Sequence, residues 1–440
     1  MKSSTLMLLI LVVALAALTF FYFRDTTGPV VEVSPGSGAI SAKRELTVKL
    51  QDPKSGLKTL TVTAVQGDKT LEILNKKFDP GTPSDTETFT LPATGLKDGA
   101  FELQVNAVDR AVYHFGAGNA TVQAHSFDLD NTPPVVAVLS TAHNLTQGGV
   151  GLVVYTLSET PEKTGVTFGD SFYPGYLQEG NFYACLFPFP FNANPNKYTP
   201  RVIAVDKAGN ERVAGFYYHL RPKPQPTDTI HLNDPFLAKI AAEFQDKFPQ
   251  TTSPLDLYLE VNRKLRAKDR KELADYGRQT SPVPLWKGAF LRQPDAARMG
   301  DFAQDRTYVY KGKKVDEQTH LGIDLASVAH APILASNDGK VVHAGYFGIY
   351  GQCVIIDHGL GLQTLYGHMS QIGVKVGDVV HKGQSIGNTG STGLAGGDHL
   401  HFGVILSGTP VNPREWWDPS WLKNNVTTKL EMEKTLVPGK

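Results

Sequence analysis

A mainly β chain is predicted: an apolar helix at the N-terminus, two successive β-sandwich repeats, a short helical segment and a C-terminal β unit of different pattern. Three observations carry this. The 440 residues exceed one ordinary core and suit about three domains of about 100–200 residues each. Gly (42) and Pro (28) are abundant enough to favour turn-rich β structure. Two marker segments recur: Thr27-Gly28-Pro29-Val30-Val31 returns as Thr132-Pro133-Pro134-Val135-Val136, and Ala107-Val108-Asp109-Arg110-Ala111 as Ala204-Val205-Asp206-Lys207-Ala208.

Residues 1–25 read as a transmembrane anchor. Leu6 to Phe23 carries no charge and is long enough to span a bilayer as a helix. Lys2 and the α-amino group precede it, while Arg24 and Asp25 cancel, so everything after Arg24 is exported. Ala14-Leu15-Ala16 resembles a signal-peptidase site, but the apolar run continues through Phe20, Phe21 and Phe23, which favours an uncleaved anchor.

The repeats occupy 26–129 and 130–221. Alternating segments such as Glu45–Gln51, Leu57–Val65 and Val150–Leu157 predict short strands separated by turns, the pattern of a β-sandwich. Their proline openings and the Val-Asp-Lys-Ala-Gly-Asn turn at 205–210 resemble bacterial immunoglobulin-like modules. Residues 222–284 read as linker and helical adaptor. Arg221–Thr227 is Pro-rich, and Asn233-Asp234-Pro235 and Ser253-Pro254 each cap a helix with Pro in its first turn. The second helix, to about Gly277, pairs most of its charges at i, i+3 or i+4, which predicts a solvated face. A β-rich unit occupies 285–422, and 423–440 is read as a tail.

Composition excludes some functions. Lys+Arg and Asp+Glu are both 43, so no basic field exists to hold nucleic acid. The two cysteines, Cys185 and Cys353, are too few for a disulfide scaffold or an all-cysteine zinc site; a bond between them would have to bridge separate domains and is not expected, and Cys353, in an apolar strand, is expected as a buried thiol.

Eight of the 13 histidines fall between His320 and His401. His399 and His401 lie two apart, so on one strand they face one site: one can bind a metal while the other reaches its water or substrate. His320 and Asp324 are four apart, and Gly322 between them offers a bend toward one ion. Imidazole plus carboxylate suits Zn²⁺, with three protein ligands leaving an open position. Tyr366 is two residues before His368, on the same face of a regular strand, and is expected to pack. His330, His343, His358 and His381 are expected to be structural. A cupin reading fails because Ile405 and Leu406 stand four and five positions after His401, where it needs Glu, and because no later histidine exists; no His-Glu-x-x-His occurs either.

The ordered set His320-Leu-Gly-Ile-Asp324, Gly339-Lys-Val-Val, Tyr366-Gly-His368-Met-Ser, Gly383-Gln-Ser-Ile-Gly387, Thr392-Gly393 and His399-Leu-His401-Phe resembles lysostaphin/LytM-type zinc endopeptidases of peptidoglycan, over about Phe302 to Trp417. Asp398 stands where that family commonly has Pro. The resemblance implies an antiparallel β core with a zinc groove, Zn²⁺ held by His320, Asp324 and His401, and His368 and His399 flanking the bound water. With no Glu in the motif, one of those two histidines would accept the water proton and the other would stabilise the oxyanion or protonate the leaving amine. The implied protein is a membrane-anchored, extracytoplasmic (periplasmic) metalloendopeptidase acting on peptidoglycan, with the immunoglobulin-like repeats as stalk or docking site for cell-envelope partners. The competing expectations are a non-catalytic regulator of cell-wall amidases on the same fold, which retention of all three ligands opposes, and a surface-binding protein.

Overall fold

The computed structural model describes residues 3–194 and 196–431. Residues 1 and 2, where the flanking positive charge was expected, and residues 432–440 of the expected tail lie outside the described residues. Ser3–Phe23 is one helix, as a Leu/Ala-rich run without Gly or Pro should be. Its Leu6–Phe23 window is long and apolar enough to cross a membrane, and none of it is buried by protein. The Thr19 hydroxyl donates back to the Leu15 carbonyl at 2.8 Å, so even that polar group is satisfied within the helix.

The chain divides into two compact units. One runs to Val135 and takes in Glu159–Glu162 and Ala204–Arg212; the other holds Val136–Ser158, Lys163–Ile203 and the chain from Val213 onward. In the first, a three-stranded antiparallel sheet (Val30–Ser34, Leu46–Gln51, Ser84–Phe89) and a five-stranded sheet share one core. The expected alternation in Leu46–Gln51 sends Leu46, Val48 and Leu50 inward, against Leu60, Val62, Leu103 and Val105 of the larger sheet. The recurring Asp turn also has a physical reason. Asp109 accepts from the amides of Ala111 and Asn119 and from the Asn119 side chain, and Asp206 accepts likewise from the amide and side chain of Asn210. Each buried carboxylate thereby closes its repeat. Around them, Asp25, Asp52 and Asp109 bring carboxylate oxygens within 4.8 Å of one another, and Asp130, Glu159 and Asp206 do so in turn.

In the second unit, strands Val150–Leu157 and Phe182–Pro188 pair antiparallel at the centre of a four-stranded sheet. Val150–Leu157 is not half-solvated as its expected alternation implied. Both faces are buried: Val153, Tyr155, Tyr183, Cys185 and Phe187 enter one core, whereas Val150, Leu152, Val154, Ala184 and Leu186 join Trp286, Trp416, Leu422 and Val426 in another. A strand buried on both sides reads as a continuous apolar run. Residues 423–431, placed in the expected tail, are helical; Val426 is buried in that second core, and Lys429 Nζ donates to the Leu152 carbonyl at 3.0 Å. Cys185 and Cys353 are both free and buried.

The helical segment forms as its caps predict. The Asn233 side chain accepts from the Phe236 amide ahead of Asp234–Phe244, and Ser253 accepts from the Asp256 amide ahead of Pro254–Glu260. A π turn over Val261–Leu265 then leads into Arg266–Gly277. The expected solvated face holds only in part. Lys264–Glu260 and Lys268–Glu272 are surface i, i+4 pairs, but Asn262 and Asp269 are buried, and Asp269 accepts from the Ile349 amide at 2.7 Å. Charge spacing alone does not tell a solvated carboxylate from one that receives a neighbour's backbone N–H.

The C-terminal sheet runs in the order Ala297–Gly300, Ile323–Ala326, Leu400–Leu406, Leu362–Ile372, Gln352–Gly359, Gly339–Tyr346, Val379–Val380. Beside it, Thr227–Leu232 pairs in parallel with Gln304–Tyr310, which in turn pairs antiparallel with Lys313–His320. The strand after the Pro-rich linker is therefore built into a sheet that ends on His320.

Candidate metal centre and groove

Three strands bring the site together. Lys313–His320 ends at His320; the chain bends through Leu321 and Gly322; Ile323–Ala326 then presents Asp324 directly opposite His401 in register. Gly322 is required sterically, since a Cβ there would stand 2.5 Å from the His401 ring. His320 Nε2 lies 3.0 Å from His401 Nδ1 and 3.0 Å from Asp324 Oδ1, and His401 Nδ1 lies 3.1 Å from that oxygen. All three side chains are buried.

The donor chemistry fits a zinc ion. His320 Nδ1 faces the Asp301 carbonyl at 2.9 Å, and because a carbonyl only accepts, that nitrogen carries the proton and leaves Nε2 as a lone pair. Two imidazole nitrogens and one carboxylate oxygen at mutual separations near 3 Å resemble three corners of a tetrahedron with metal–ligand bonds of about 2.0–2.2 Å. Arg306 Nη2 donates to Asp324 Oδ2 at 2.8 Å, leaving Oδ1 for the histidines. Burial alone would raise the Asp324 carboxyl, but His320 and the other facing histidines overcome it and hold it well below the usual carboxylate range.

His368 reaches the same site by a device that strand periodicity hides. Along Leu362–Ile372, Tyr366 is in register with Phe402 and Gly367 with His401. In a regular strand, His368 would therefore share the Tyr366 face, away from His401. His368 instead has φ of 63°, a left-handed backbone that turns its ring toward the site, 5.8 Å from the His401 ring and 4.8 Å from that of His399. The expected common face of Tyr366 and His368 is thus corrected: Tyr366 is core, its hydroxyl accepting from the Ser336 amide at 2.7 Å and bonded to Thr364 at 3.0 Å.

His399 pairs through an isolated bridge with Gly390, immediately before Leu400–Leu406. Its Nδ1 donates to the Gly397 carbonyl at 2.8 Å, and its Nε2 faces Asp324 Oδ1 at 3.5 Å. His368 Nδ1 likewise donates to the Thr392 carbonyl at 2.8 Å. Both rings spend Nδ1–H on backbone, which makes Nε2 the atom free for proton transfer. Burial, reinforced by the neighbouring histidines, lowers His368 well below the ordinary range, and burial lowers His401 to about 4. His399 is raised, the Asp324 carboxylate overcoming the opposing effect of burial.

All five expected residues line one groove. Sequence reasoning missed its supports. Arg306 orients Asp324 and the Asp301 carbonyl orients His320, and Lys239 Nζ donates to the Ser391 and Ala395 carbonyls at 2.7 and 2.9 Å. Glu243 accepts from the Gly393 amide, and Asp398 accepts from the His330 amide at 3.1 Å. Only the Asp398 departure from the family pattern signalled any of these. His358 and His343 are structural: His358 is bound between the Asp338 carbonyl and Thr364, and His343 to Tyr276.

The comparisons agree with the motifs. Residues 318–413 match the model of peptidase family M23. The DD-carboxypeptidase/endopeptidase Mpg of Neisseria meningitidis serogroup B is 44% identical over 94 residues, 21% of this chain and 22% of that protein. The peptidoglycan DD-endopeptidase ShyA of Vibrio cholerae serotype O1 is 43% identical over 93 residues, 21% of this chain and 22% of that one. The catalytic domain of the prophage-encoded M23 protein EnpA from Enterococcus faecalis is 32% identical, over 29% of this chain and 95% of that one, with a TM-score of 0.24. The match thus spans about a fifth of the length of these curated relatives. The likeness to peptidase family M23 is thus that of the domain at residues 318–413.

Proposed function

We infer that this protein is a membrane-anchored zinc metalloendopeptidase that hydrolyses peptide bonds of bacterial peptidoglycan, the DD cross-links first among them. The observation that carries the reading is the convergence of His320, Asp324 and His401 donor atoms at 3.0–3.1 Å, with His368 and His399 on the same groove. Relatives named as DD-endopeptidases support the choice of substrate.

In this reading His320 Nε2, His401 Nδ1 and Asp324 Oδ1 hold Zn²⁺. The ion supplies Lewis-acid activation of water and of the scissile carbonyl. The chain supplies the rest. The backbone carbonyls of Thr392 and Gly397 hold the two flanking rings so that Nε2 of each faces the reacting group. A neutral ring accepts the proton there, and a protonated ring returns it to the leaving amine. Tyr350, tilted against the His401 ring at 5.4 Å between centroids, and Leu394 help to shield the groove from water.

The helix at Ser3–Phe23 is the anchor, which keeps the peptidase domain on the extracytoplasmic side. The two N-terminal repeats are immunoglobulin-like and act as a stalk or as a docking site for envelope proteins. The test is digestion of purified sacculi by the full chain, with zinc quantified on the same sample and products read by mass spectrometry. Zinc-dependent release of cross-link-cleaved muropeptides is expected; intact sacculi at full zinc occupancy would refute the reading.

A further inference from the structure

The groove continues past the metal centre onto the helical segment, outside the 318–413 family match, where Arg266 and Tyr258 line the same cavity as the five site residues. Arg266 is only partly exposed, and its guanidinium is held in place by one neighbour. Nε donates to the Asn262 carbonyl and side-chain oxygen at 3.2 Å each, and Nη2 donates to that side-chain oxygen at 2.6 Å. Asn262 is fully buried and fixed in turn by Asp316, which accepts from its Nδ2 at 2.8 Å. Asp316 spends its other oxygen on Arg263 Nε at 3.0 Å.

Arg266 itself has no carboxylate within 4.0 Å among the described residues. The other charged groups along the cavity are otherwise engaged. Arg306 is paired with Asp324, and Asp228 accepts from the Thr229 amide. Tyr258 is 1% exposed, and its hydroxyl is buried beside Tyr308, the two rings 5.8 Å apart, so it serves as wall and not as a donor to the cavity. A guanidinium oriented by a neutral amide, with no carboxylate paired to it at the wall of a partly apolar cavity, leaves donor capacity for an anion.

We propose that Arg266 forms a carboxylate-binding subsite, which holds a free carboxylate of the peptide substrate while its scissile bond lies at the metal centre. The proposal rests on the endopeptidase reading for the identity of that peptide, and on the cavity alone for its carboxylate. The guanidinium takes the carboxylate through the N–H groups that Asn262 leaves free. The helical segment is then part of the substrate groove, and it selects anionic peptide stems over amidated ones.

The experiment uses the zinc-loaded full chain in detergent and two fluorescent probes. These are an L-Ala-γ-D-Glu-meso-diaminopimelyl-D-Ala stem peptide with free carboxylates and the same peptide with its carboxylates amidated. The wild type is expected to bind the free-acid probe at least about tenfold more tightly, a factor that corresponds to one strong charge-assisted contact. In Arg266→Met the preference should shrink to within twofold at an unchanged melting temperature. Arg266→Lys should keep part of it. Equal binding of the two probes by the wild type, or undiminished preference in Arg266→Met, overturns the subsite. Sacculus digestion by the same preparations separates the two readings. A preference that depends on Arg266, without hydrolysis, keeps the subsite and refutes the endopeptidase; hydrolysis without preference does the reverse.

Discussion

Arg306 Nη2 donates to Asp324 Oδ2 at 2.8 Å, so the carboxylate that faces His320 and His401 offers them a single oxygen. Gly300 makes the pair possible, because a Cβ there would lie 2.3 Å from Arg306 Nη2 and 2.6 Å from Asp324 Oδ2. Partners that orient a ligand without touching the ion typically contribute about 10–100-fold to metal affinity. Arg306→Met should therefore weaken zinc binding by about that factor, read by chelator competition, with far-UV circular dichroism unchanged. Gly300→Ala should act in the same direction through steric displacement of the pair.

The ligand and flanking sets should separate in two measurements. His320→Ala, Asp324→Ala and His401→Ala are expected to lose both bound zinc and hydrolysis. His368→Ala and His399→Ala should retain near-stoichiometric zinc by elemental analysis while turnover falls by about 10²–10⁴-fold, the usual worth of a positioned proton-transfer group. Full activity in His401→Ala, or loss of zinc in His368→Ala, would contradict the assignment.

The loop before His399 is tied to the helical segment by Lys239, whose Nζ bridges the Ser391 and Ala395 carbonyls. Since none of the three proposed ligands lies on that loop, Lys239→Met should leave zinc occupancy intact. It should raise amide hydrogen exchange across 391–397 and reduce kcat. An unchanged exchange pattern would mean that the loop holds its shape without the clamp.

Glu415 sets a pH dependence of stability. Its carboxyl is buried and accepts from the Val150 amide at 2.9 Å, and burial pushes it up to about 8. In the unfolded chain it titrates near 4.3, as an ordinary glutamate does. Between those values the folded state binds one proton more than the unfolded state, so stability falls as pH rises through the window and levels off above it. Glu415→Gln stays neutral throughout. Urea unfolding at pH 5 and pH 8 should show the variant gaining on the wild type as pH rises; a constant difference would place the ionised carboxylate in a better-solvated setting than the structure indicates.

Much of the site was legible because its chemistry is local. His-x-His at two-residue spacing, and His and Asp four apart across a glycine, already place these side chains near one point. His368 was legible as a motif residue but not as geometry, since its left-handed φ reverses the face that alternation assigns. Asp269 shows the same limit for helices: i, i+4 charge spacing accounts for the pairs in solvent, while this carboxylate turns inward to the Ile349 amide. The double burial of Val150–Leu157 and Phe182–Pro188 was hidden as well, because the second face is covered by residues more than a hundred positions downstream.

The sequence by itself determined the apolar N-terminal helix, the repeated strand-and-Asp-turn units and the capped helices, features set by periodicity, capping or short spacing, while the set of five groove residues followed from the motif resemblance. Tertiary structure decided which side chains support them: Arg306 behind Asp324, Lys239 on the His399 loop, and Arg266 and Tyr258 along the groove wall. Those partners lie 18 to 152 residues apart in hydrogen-bonded pairs such as Arg306–Asp324 and Lys239–Ser391. Contacts at such separations depend on how strands and helices dock, and no local pattern of residues encodes that.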